Sequence, residues 1–194
     1  SINTRYDISD EELISIAKHA DDVGYHSFWA AESWGRDAFT VLTVVGCNTQ
    51  NIRLATGIVN VFSRTPALIA QTIASLDILS NGRAILGLGS SGQIVVEGWH
   101  GVPFDSPLGR TREYIEIIRK ALSGAPVNHD GKFYKMERFR MLAPPMQERL
   151  PIYIASLGPK NLELTGEVAD GWLPVWLNME RIADLKERLA VGAA

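Results

Sequence analysis

The chain has 194 residues, of which 46% are hydrophobic and 21% are charged, and it carries a formal net charge of -3 at pH 7. A chain of this length buries a full hydrophobic core, and its interspersed acidic and basic residues form no basic stripe, which argues against nucleic acid as a partner. No apolar run approaches the length of a membrane span and the acidic N-terminal segment is unlike a secretory signal, so we expect a soluble, cytoplasmic protein with no membrane partner.

The N-terminal part of the chain predicts a helix, a strand and a second helix. Ser9 and Glu12 form a capping box, which predicts the start of a helix that ends at Gly24. Residues 27–31 predict a short buried strand, and residues 38–48 carry apolar side chains at helical spacing.

The single cysteine, Cys47, falls in this second helix. Its neighbours Val44 and Val45 are apolar, and a free cysteine in such a setting is usually buried. We therefore predict a buried thiol that forms no disulfide bond, and we predict no metal site.

The middle of the chain predicts a strand, a helix and a strand, with small residues after each strand. The first strand covers residues 53–61 and is interrupted by Gly57. Because an interior glycine weakens a strand, Gly57 indicates a bulge or a close approach of another group to the backbone. Thr65-Pro66 predicts the start of the helix. The second strand, over residues 84–88, opens into the run GSSG, where a flat anionic cofactor could approach the backbone.

The C-terminal half continues the alternation after an irregular segment over residues 93–107, which is long for a connection and typical of a functional loop. Asp130-Gly131 lies between two short β-prone segments and predicts a two-residue hairpin turn, so we interpret residues 125–150 as a hairpin-containing insertion. The other predicted elements are helices over residues 112–122, 160–169 and 179–191 and strands over residues 151–155 and 171–175.

Five apolar strands that alternate with helices are typical of an α/β fold with a parallel sheet covered on both faces. A doubly wound sheet and a (β/α)8 barrel both satisfy this alternation. Small residues follow several successive strands, which favours the barrel, because every barrel strand contributes a loop to one mouth.

The sequence resembles the luciferase-like superfamily of flavin and deazaflavin oxidoreductases, and within it the coenzyme F420-dependent branch that includes methylenetetrahydromethanopterin reductase-like proteins. The resemblance covers nearly the whole chain. It lies in the segments FWAAESWGRDAF, TGIVNVFSRTPALIAQTIASLDILSNGRAILGLGSSG, VVEGWHGVPFDSPLGRTREYIEIIR and PIYIASLGPKNLELTGEVADGWLP.

This resemblance implies a TIM-barrel-type (β/α)8 fold in which residues 1–194 form a single, incomplete domain with the second to the sixth strands of the barrel. The first strand is then expected before Ser1, and the last two strand-helix units are expected after Ala194. An open sheet exposes two edges that invite pairing. We therefore expect either a longer protein or a partner, such as a homo-oligomer, that closes the barrel.

The resemblance also implies a cofactor site. It places a non-prolyl cis peptide, which supports the cofactor ring, at Gly57-Ile58, with the Asn60 amide turned toward the polar edge of the cofactor. Ser156 and Gly158 stand at a helix N-terminus, which favours the cofactor phosphate. A plain bulge and an ordinary capped turn are the alternatives at these two places. The other implied cofactor-binding residues are Glu32, Ser91, Gly92, Gln93, Ala155 and Gly171.

Two positions depart from the F420-dependent alcohol and sugar dehydrogenases that the chain resembles. Those enzymes use a histidine and a glutamate where this chain has Ser33 and Gln93, and neither residue acts as an acid or base near neutral pH. Hydride transfer to or from a C=C or C=N bond is therefore favoured over alcohol oxidation. Glu97 and His100 are the remaining titratable candidates near the mouth, with ordinary loop roles as the alternative, and no catalytic residue is assigned.

Three functions remain open on the sequence. The first is an F420-dependent oxidoreductase that transfers a hydride between the deazaflavin and a small organic substrate. The second is an FMN-dependent monooxygenase of the same superfamily. The third is a cofactor-free barrel remnant that acts as a binding or structural protein. Four tryptophans either line a substrate pocket or pack at its rim, namely Trp34, Trp99, Trp172 and Trp176.

Overall fold

A computed structural model describes residues 2–3 and 8–194 of the chain. Its strands are β1 (Ile2–Asn3), β2 (Ser27–Ala30), β3 (Arg53–Thr56), β4 (Val59–Asn60), β5 (Ala84–Gly89), β6 (Val127–Asp130), β7 (Lys135–Phe139), β8 (Ile152–Ala155) and β9 (Gly171–Trp172). Its helices are α1 (Asp10–Asp22), α2 (Ala38–Asn48), α3 (Pro66–Leu79), α4 (Gln93–Gly98), α5 (Pro107–Leu122), α6 (Pro159–Val168) and α7 (Ile182–Ala193), the last preceded by a 3-10 turn at Met179–Arg181.

Seven of the strands form one parallel sheet in the order β1-β2-β3-β5-β8-β9, with β4 paired to β5 beyond the end of β3. The central strand, β5, is buried along its whole length. Helices cover the sheet and bury an apolar core with it, as expected for parallel strands. The α/β prediction is confirmed, and within the described residues β1 and β9 remain unpaired to each other, so the barrel is not closed.

Local signals explain where several helices begin. Ser9 and Glu12 form the predicted capping box, because the Glu12 amide donates to the Ser9 hydroxyl at 3.2 Å and the Ser9 amide donates to the Glu12 carboxylate at 3.1 Å. Thr65 caps α3 by accepting from the Leu68 amide at 3.2 Å, and Pro66 occupies the first helical position.

The sheet begins one strand earlier than we predicted from the sequence. We expected the first strand before Ser1, but the short strand β1 lies at Ile2–Asn3 and pairs with β2 through Ile2 and Phe28. Two residues carry no alternation pattern, so only their pairing with a neighbouring strand identifies them.

Two predictions in the second half are wrong in detail. The segment predicted to be irregular contains the helix α4, which spans only six residues and has no capping side chain at Gly92, so it left no periodic signal. The next helix, α5, begins at Pro107 rather than at residue 112, and Ser106 before it has a left-handed backbone with φ of 45°.

The predicted hairpin is confirmed, but its turn is longer than predicted. Strands β6 and β7 are antiparallel, and Asp130 pairs with Lys135, so the loop comprises the four residues 131–134. The Glu113 carboxylate accepts backbone hydrogen bonds in this loop and thereby stabilises it.

The prediction of a buried cysteine is also wrong. Cys47 is exposed, because it falls on the outer side of α2, whose buried side chains are Ala38, Phe39, Val41, Leu42 and Val45. In the described part of the chain, no helix has the length and apolar character needed to cross a membrane.

Candidate functional site

The carboxyl ends of several parallel strands meet around a cavity of about 410 Å³. This is the edge of a parallel sheet where ligands usually bind. The described residues that line it are Ser33, Gly57, Ile58, Asn60, Gly89, Ser90, Ser91, Ala155, Ser156, Leu157, Gly158, Asn161, Leu173 and Val175. None of these side chains is charged, so the cavity presents hydroxyl groups, amides, backbone and apolar surface.

A break between β3 and β4 forms one wall of the cavity. The predicted cis peptide at Gly57-Ile58 is confirmed. The Gly57 amide donates to the Ala30 carbonyl at 2.8 Å, which attaches the break to β2. The Thr56 hydroxyl donates to the Gly87 carbonyl and accepts from the Gly87 amide, both at 2.8 Å, so a side chain supplies the pairing that β5 loses there.

Small residues at the cavity floor allow the Ile58 side chain to lie against β5. A methyl group added to Gly89 would lie 2.9 Å from Ile58 Cδ1 and 3.4 Å from Ala155 Cβ. A side chain at Gly89 would therefore collide with Ile58, which lines the cavity next to it. This geometry fits a flat ring, because a ring needs a cleft without projecting side chains on its floor.

Two serines at the cavity have left-handed backbones. The φ angle is 39° at Ser33 and 57° at Ser91, and both residues line the cavity. Residues other than glycine in this region are uncommon and cluster at ligand sites, since surrounding structure must enforce them. Ser33 and Ser91 follow β2 and β5, at the mouth of the sheet.

The N-terminus of α6 forms a further part of the cavity. Its N-cap residue, Gly158, offers no capping side chain. Pro159 has no N–H and the Asn161 amide donates to the Gly158 carbonyl at 3.0 Å, which leaves the amides of Gly158 and Lys160 for a partner such as an anion. Just before it, the Ser156 hydroxyl is hydrogen-bonded to the Thr165 hydroxyl at 2.8 Å, and the Ser156 carbonyl accepts from the Trp172 indole at 2.9 Å. These bonds hold the turn in place.

Asn60 lines the cavity, although its amide is bound on both sides. Its carbonyl oxygen accepts from the backbone amides of Phe62 at 2.9 Å and Ser63 at 2.8 Å, and its amide nitrogen lies 3.1 Å from Nε2 of His100. His100 was a sequence candidate near the mouth, and it contacts the site through Asn60. Glu97, the other candidate, accepts from the Phe104 amide at 3.2 Å and lies outside the lining.

Glu32 belongs to a separate ion-pair network rather than to the cavity lining. Its carboxylate binds the Arg64 guanidinium at 2.6 and 2.7 Å and accepts from the Ala38 amide at 3.3 Å. Arg64 also pairs with Asp37. The hydrogen bond with Glu32 is the main cause that raises the pKa of Arg64, against the opposing effect of burial.

Three other predicted site residues also lie outside the lining. Gln93 donates to Glu97 at 3.0 Å, Gly92 is the N-cap of α4, and Gly171 faces the Tyr153 ring. The cavity thus brings together Gly57, Ile58, Asn60, Ser91, Ala155, Ser156 and Gly158 from the predicted set. The cofactor roles of all these residues remain predictions.

Gly89 and Ser90 belong to the run GSSG, which the sequence marked as a place of cofactor approach, although they were not among the named binding residues. The lining residues that were not predicted are Leu157, Asn161, Leu173 and Val175. Most directly follow a strand or begin a helix next to a predicted residue, and that position is the signal that could have identified them. Of the tryptophans, Trp34, Trp99 and Trp176 are exposed, and Trp172 packs at the Ser156 turn. Across residues 2–3 and 8–194, no cluster of three His, Cys, Asp or Glu residues could hold a metal ion.

Comparisons with known proteins identify the family and agree with the fold. The family model described as luciferase-like monooxygenase matches residues 4–194. A solved structure of a coenzyme F420-dependent tetrahydromethanopterin reductase from Methanopyrus kandleri superposes with a TM-score of 0.90 at 29% identity, over 99% of this chain and 60% of that one. This match confirms the TIM-barrel-type fold.

Two curated relatives match most of the sequence. A protein of Mycobacterium tuberculosis, provisionally named a coenzyme F420-dependent oxidoreductase, is 39% identical over 195 residues, covering 94% of this chain and 55% of that protein. A 5,10-methylenetetrahydromethanopterin reductase of Methanolobus tindarius is 38% identical over 186 residues, with the same shares of the two chains. The chain therefore spans about 55% of the length of these relatives.

Proposed function

The chain belongs to the luciferase-like monooxygenase family, and from that premise we propose that it forms the cofactor-binding part of an F420-dependent oxidoreductase that acts on a small organic substrate. The observation that carries the proposal is the cavity in which Gly57, Ile58, Ser91 and Ser156 meet at one end of the parallel sheet. Similar proteins whose names include coenzyme F420 favour this cofactor over others.

The residues of the cavity fit the cofactor in two ways. The floor formed by Ile58, Gly89 and Ala155 is apolar and has no side chain projecting from Gly89, which suits a flat ring. The N-terminus of α6, which has no capping side chain, offers the amides of Gly158 and Lys160 and the positive end of a helix dipole to a phosphate group. Both features use neutral groups, which agrees with a lining that contains no charged side chain among the described residues.

Coenzyme F420, when bound, carries the hydride, and the protein supplies orientation and a dry pocket. The described lining includes no carboxyl, imidazole or ammonium group that could act as a general acid or base. We therefore infer a substrate whose conversion depends mainly on hydride transfer, such as a C=C or C=N bond, rather than an alcohol.

The test is a binding titration of the protein with F420 and, separately, with FMN. The change in cofactor fluorescence measures the binding. We expect F420 to bind more tightly than FMN. Gly89→Val places a branched side chain against Ile58, and we expect it to push Ile58 into the cavity and to weaken F420 binding by about tenfold, which corresponds to about 1.4 kcal/mol.

The matched control is Gly98→Ala, because a methyl group added at Gly98 meets no atom within 4 Å. Circular dichroism of each variant verifies that it is folded, and Ala155→Leu fills the same space if Gly89→Val is unfolded. Binding of FMN without F420 would support the monooxygenase alternative. If neither cofactor binds to the folded protein, the cofactor-free alternative replaces our proposal.

A further inference from the structure

The orientation of the Asn60 side chain is determined by two backbone amides that follow it in the chain. Its Oδ1 atom accepts hydrogen bonds from the amides of Phe62 at 2.9 Å and Ser63 at 2.8 Å. A reversed amide would direct its NH2 group at these two N–H donors. The nitrogen of Asn60 must therefore lie at the opposite end of the side chain, and only 6% of the residue is exposed.

That nitrogen lies 3.1 Å from Nε2 of His100, which reaches the site from the segment between α4 and α5. The Asn60 NH2 group donates and does not accept, so Nε2 of His100 is the acceptor. The hydrogen bond requires the imidazole tautomer that carries its proton on Nδ1. The contact joins two parts of the chain that are 40 residues apart.

Asn60 lines the cavity in which the cofactor is expected to bind. Its side-chain amide has hydrogen-bond partners at both ends. The backbone amides hold the oxygen and His100 holds one of the two N–H groups. The second N–H has no partner in the described residues. Without an acceptor at residue 100, the amide would lose one of its two anchors.

We propose that His100 is a positioning residue, which acts through Asn60 to hold an amide N–H donor for the cofactor. The inference rests on the proposed function, because it assumes that the cofactor binds in this cavity. It does not assign His100 to any step of the chemistry. Its role depends on the acceptor atom that residue 100 presents to Asn60.

The experiment compares the F420 affinity of the protein with that of His100→Leu and His100→Gln, measured by cofactor fluorescence. Loss of one hydrogen bond predicts about three- to tenfold weaker binding for His100→Leu. Because the glutamine carbonyl can accept from the Asn60 nitrogen, His100→Gln should stay within about twofold of the unaltered protein. His19→Leu, a change at an exposed histidine on α1, is the matched control.

A double-mutant cycle separates positioning from a general structural role. In the background of Asn60→Ala, His100→Leu should cause no further loss of affinity. If Asn60→Ala does not fold, Asn60→Asp takes its place, because it retains acceptor oxygens for Phe62 and Ser63 but has no N–H to donate. Thermal unfolding without cofactor verifies that each variant is folded at the temperature of the titration.

Equal affinities for His100→Leu and His100→Gln would overturn the inference, and so would independent losses in the double mutant. Neither result would contradict the proposed function as long as the unaltered protein binds F420. If the unaltered, folded protein does not bind F420, the proposed function itself is wrong and this inference is wrong with it.

Discussion

At the scale of single residues, Thr56 has the clearest structural task. The strand opposite β5 is interrupted at Gly57-Ile58, and the Thr56 hydroxyl supplies both hydrogen bonds that Gly87 would otherwise lack. Thr56 is fully buried, and Gly87 lies in a buried strand with no space for a side chain, since an added methyl group would lie 1.9 Å from the Thr56 carbonyl oxygen. The wall of the cavity therefore depends on one hydroxyl group.

Thr56→Val should destabilise the protein by about 2–4 kcal/mol, because it leaves a buried N–H and a buried C=O of Gly87 without partners. Thr56→Ser keeps the hydroxyl and loses only a methyl group, at a cost of about 1 kcal/mol. Urea denaturation followed by circular dichroism measures both free energies of unfolding. Equal stability of the two variants would show that the hydroxyl is not needed for pairing.

At the scale of elements, the β6–β7 hairpin is attached to α5 mainly through Glu113. The Glu113 carboxylate accepts from the backbone amides of Lys132, Phe133 and Tyr134 at 2.8, 3.0 and 3.2 Å, and it lies 3.2 Å from Nε2 of His129. Burial acts to raise the pKa of Glu113, but these hydrogen bonds outweigh it and lower the pKa below its ordinary value. The insertion is thus ordered by a helix side chain.

Glu113→Gln should loosen the hairpin loop without unfolding the domain, because an amide has one acceptor oxygen where the carboxylate has two. Hydrogen–deuterium exchange should become faster at residues 131–134. Glu137→Gln, a change at an exposed position of the same hairpin, is the control. Unchanged exchange in the loop of Glu113→Gln would contradict this account of its order.

At the scale of the whole molecule, several carboxylates connect distant segments by accepting hydrogen bonds. Asp21 binds the amides of Gln50, Asn51 and Ile52, where α2 leads into β3. For this carboxyl, burial acts to raise the pKa, and the backbone hydrogen bonds outweigh burial and lower it. At Asp170 burial again acts to raise the pKa, and the hydrogen bonds from Arg119, the Ile152 amide and Arg149 outweigh it and lower the pKa.

These lowered pKa values predict a loss of stability in acid. A carboxyl group with a lower pKa in the folded state contributes its full stabilisation above the unfolded pKa of about 4, and that contribution is lost as the pH falls through the folded value. Urea midpoints should therefore be nearly constant from pH 7 to 5 and should fall steeply below about pH 4.

The steepness of this acid transition should decrease in Asp170→Asn, which has no carboxyl to titrate at that position. Asp130→Asn, at an exposed carboxyl of the hairpin, should leave the transition as it is in the unaltered protein. Equal pH profiles for Asp170→Asn and the unaltered protein would show that the acid sensitivity has another origin.

The sequence by itself predicted those features that depend on neighbouring residues. The capping box at Ser9, the start of α3 at Thr65 and the alternation of apolar strands with helices all follow from short-range chemistry, and the structure confirms them. The segments that resemble the luciferase-like family indicated the fold and the cis peptide at Gly57-Ile58, which is confirmed as well. The same resemblance implied cofactor-binding residues at the ends of three separate strands, such as Ile58, Ser91 and Ala155, and these residues line one cavity.

Only the tertiary structure decided which residues have partners across the fold. The sequence predicted Glu32 at the mouth, but its carboxylate binds Arg64 outside the cavity lining. The hairpin turn has four residues, and the Glu113 carboxylate accepts hydrogen bonds from its amides. Cys47 is exposed because of the direction in which α2 packs. The Asn60–His100 contact joins residues that no local pattern relates. Such partners depend on how elements pack in space, and hydrophobic periodicity carries information only along the chain.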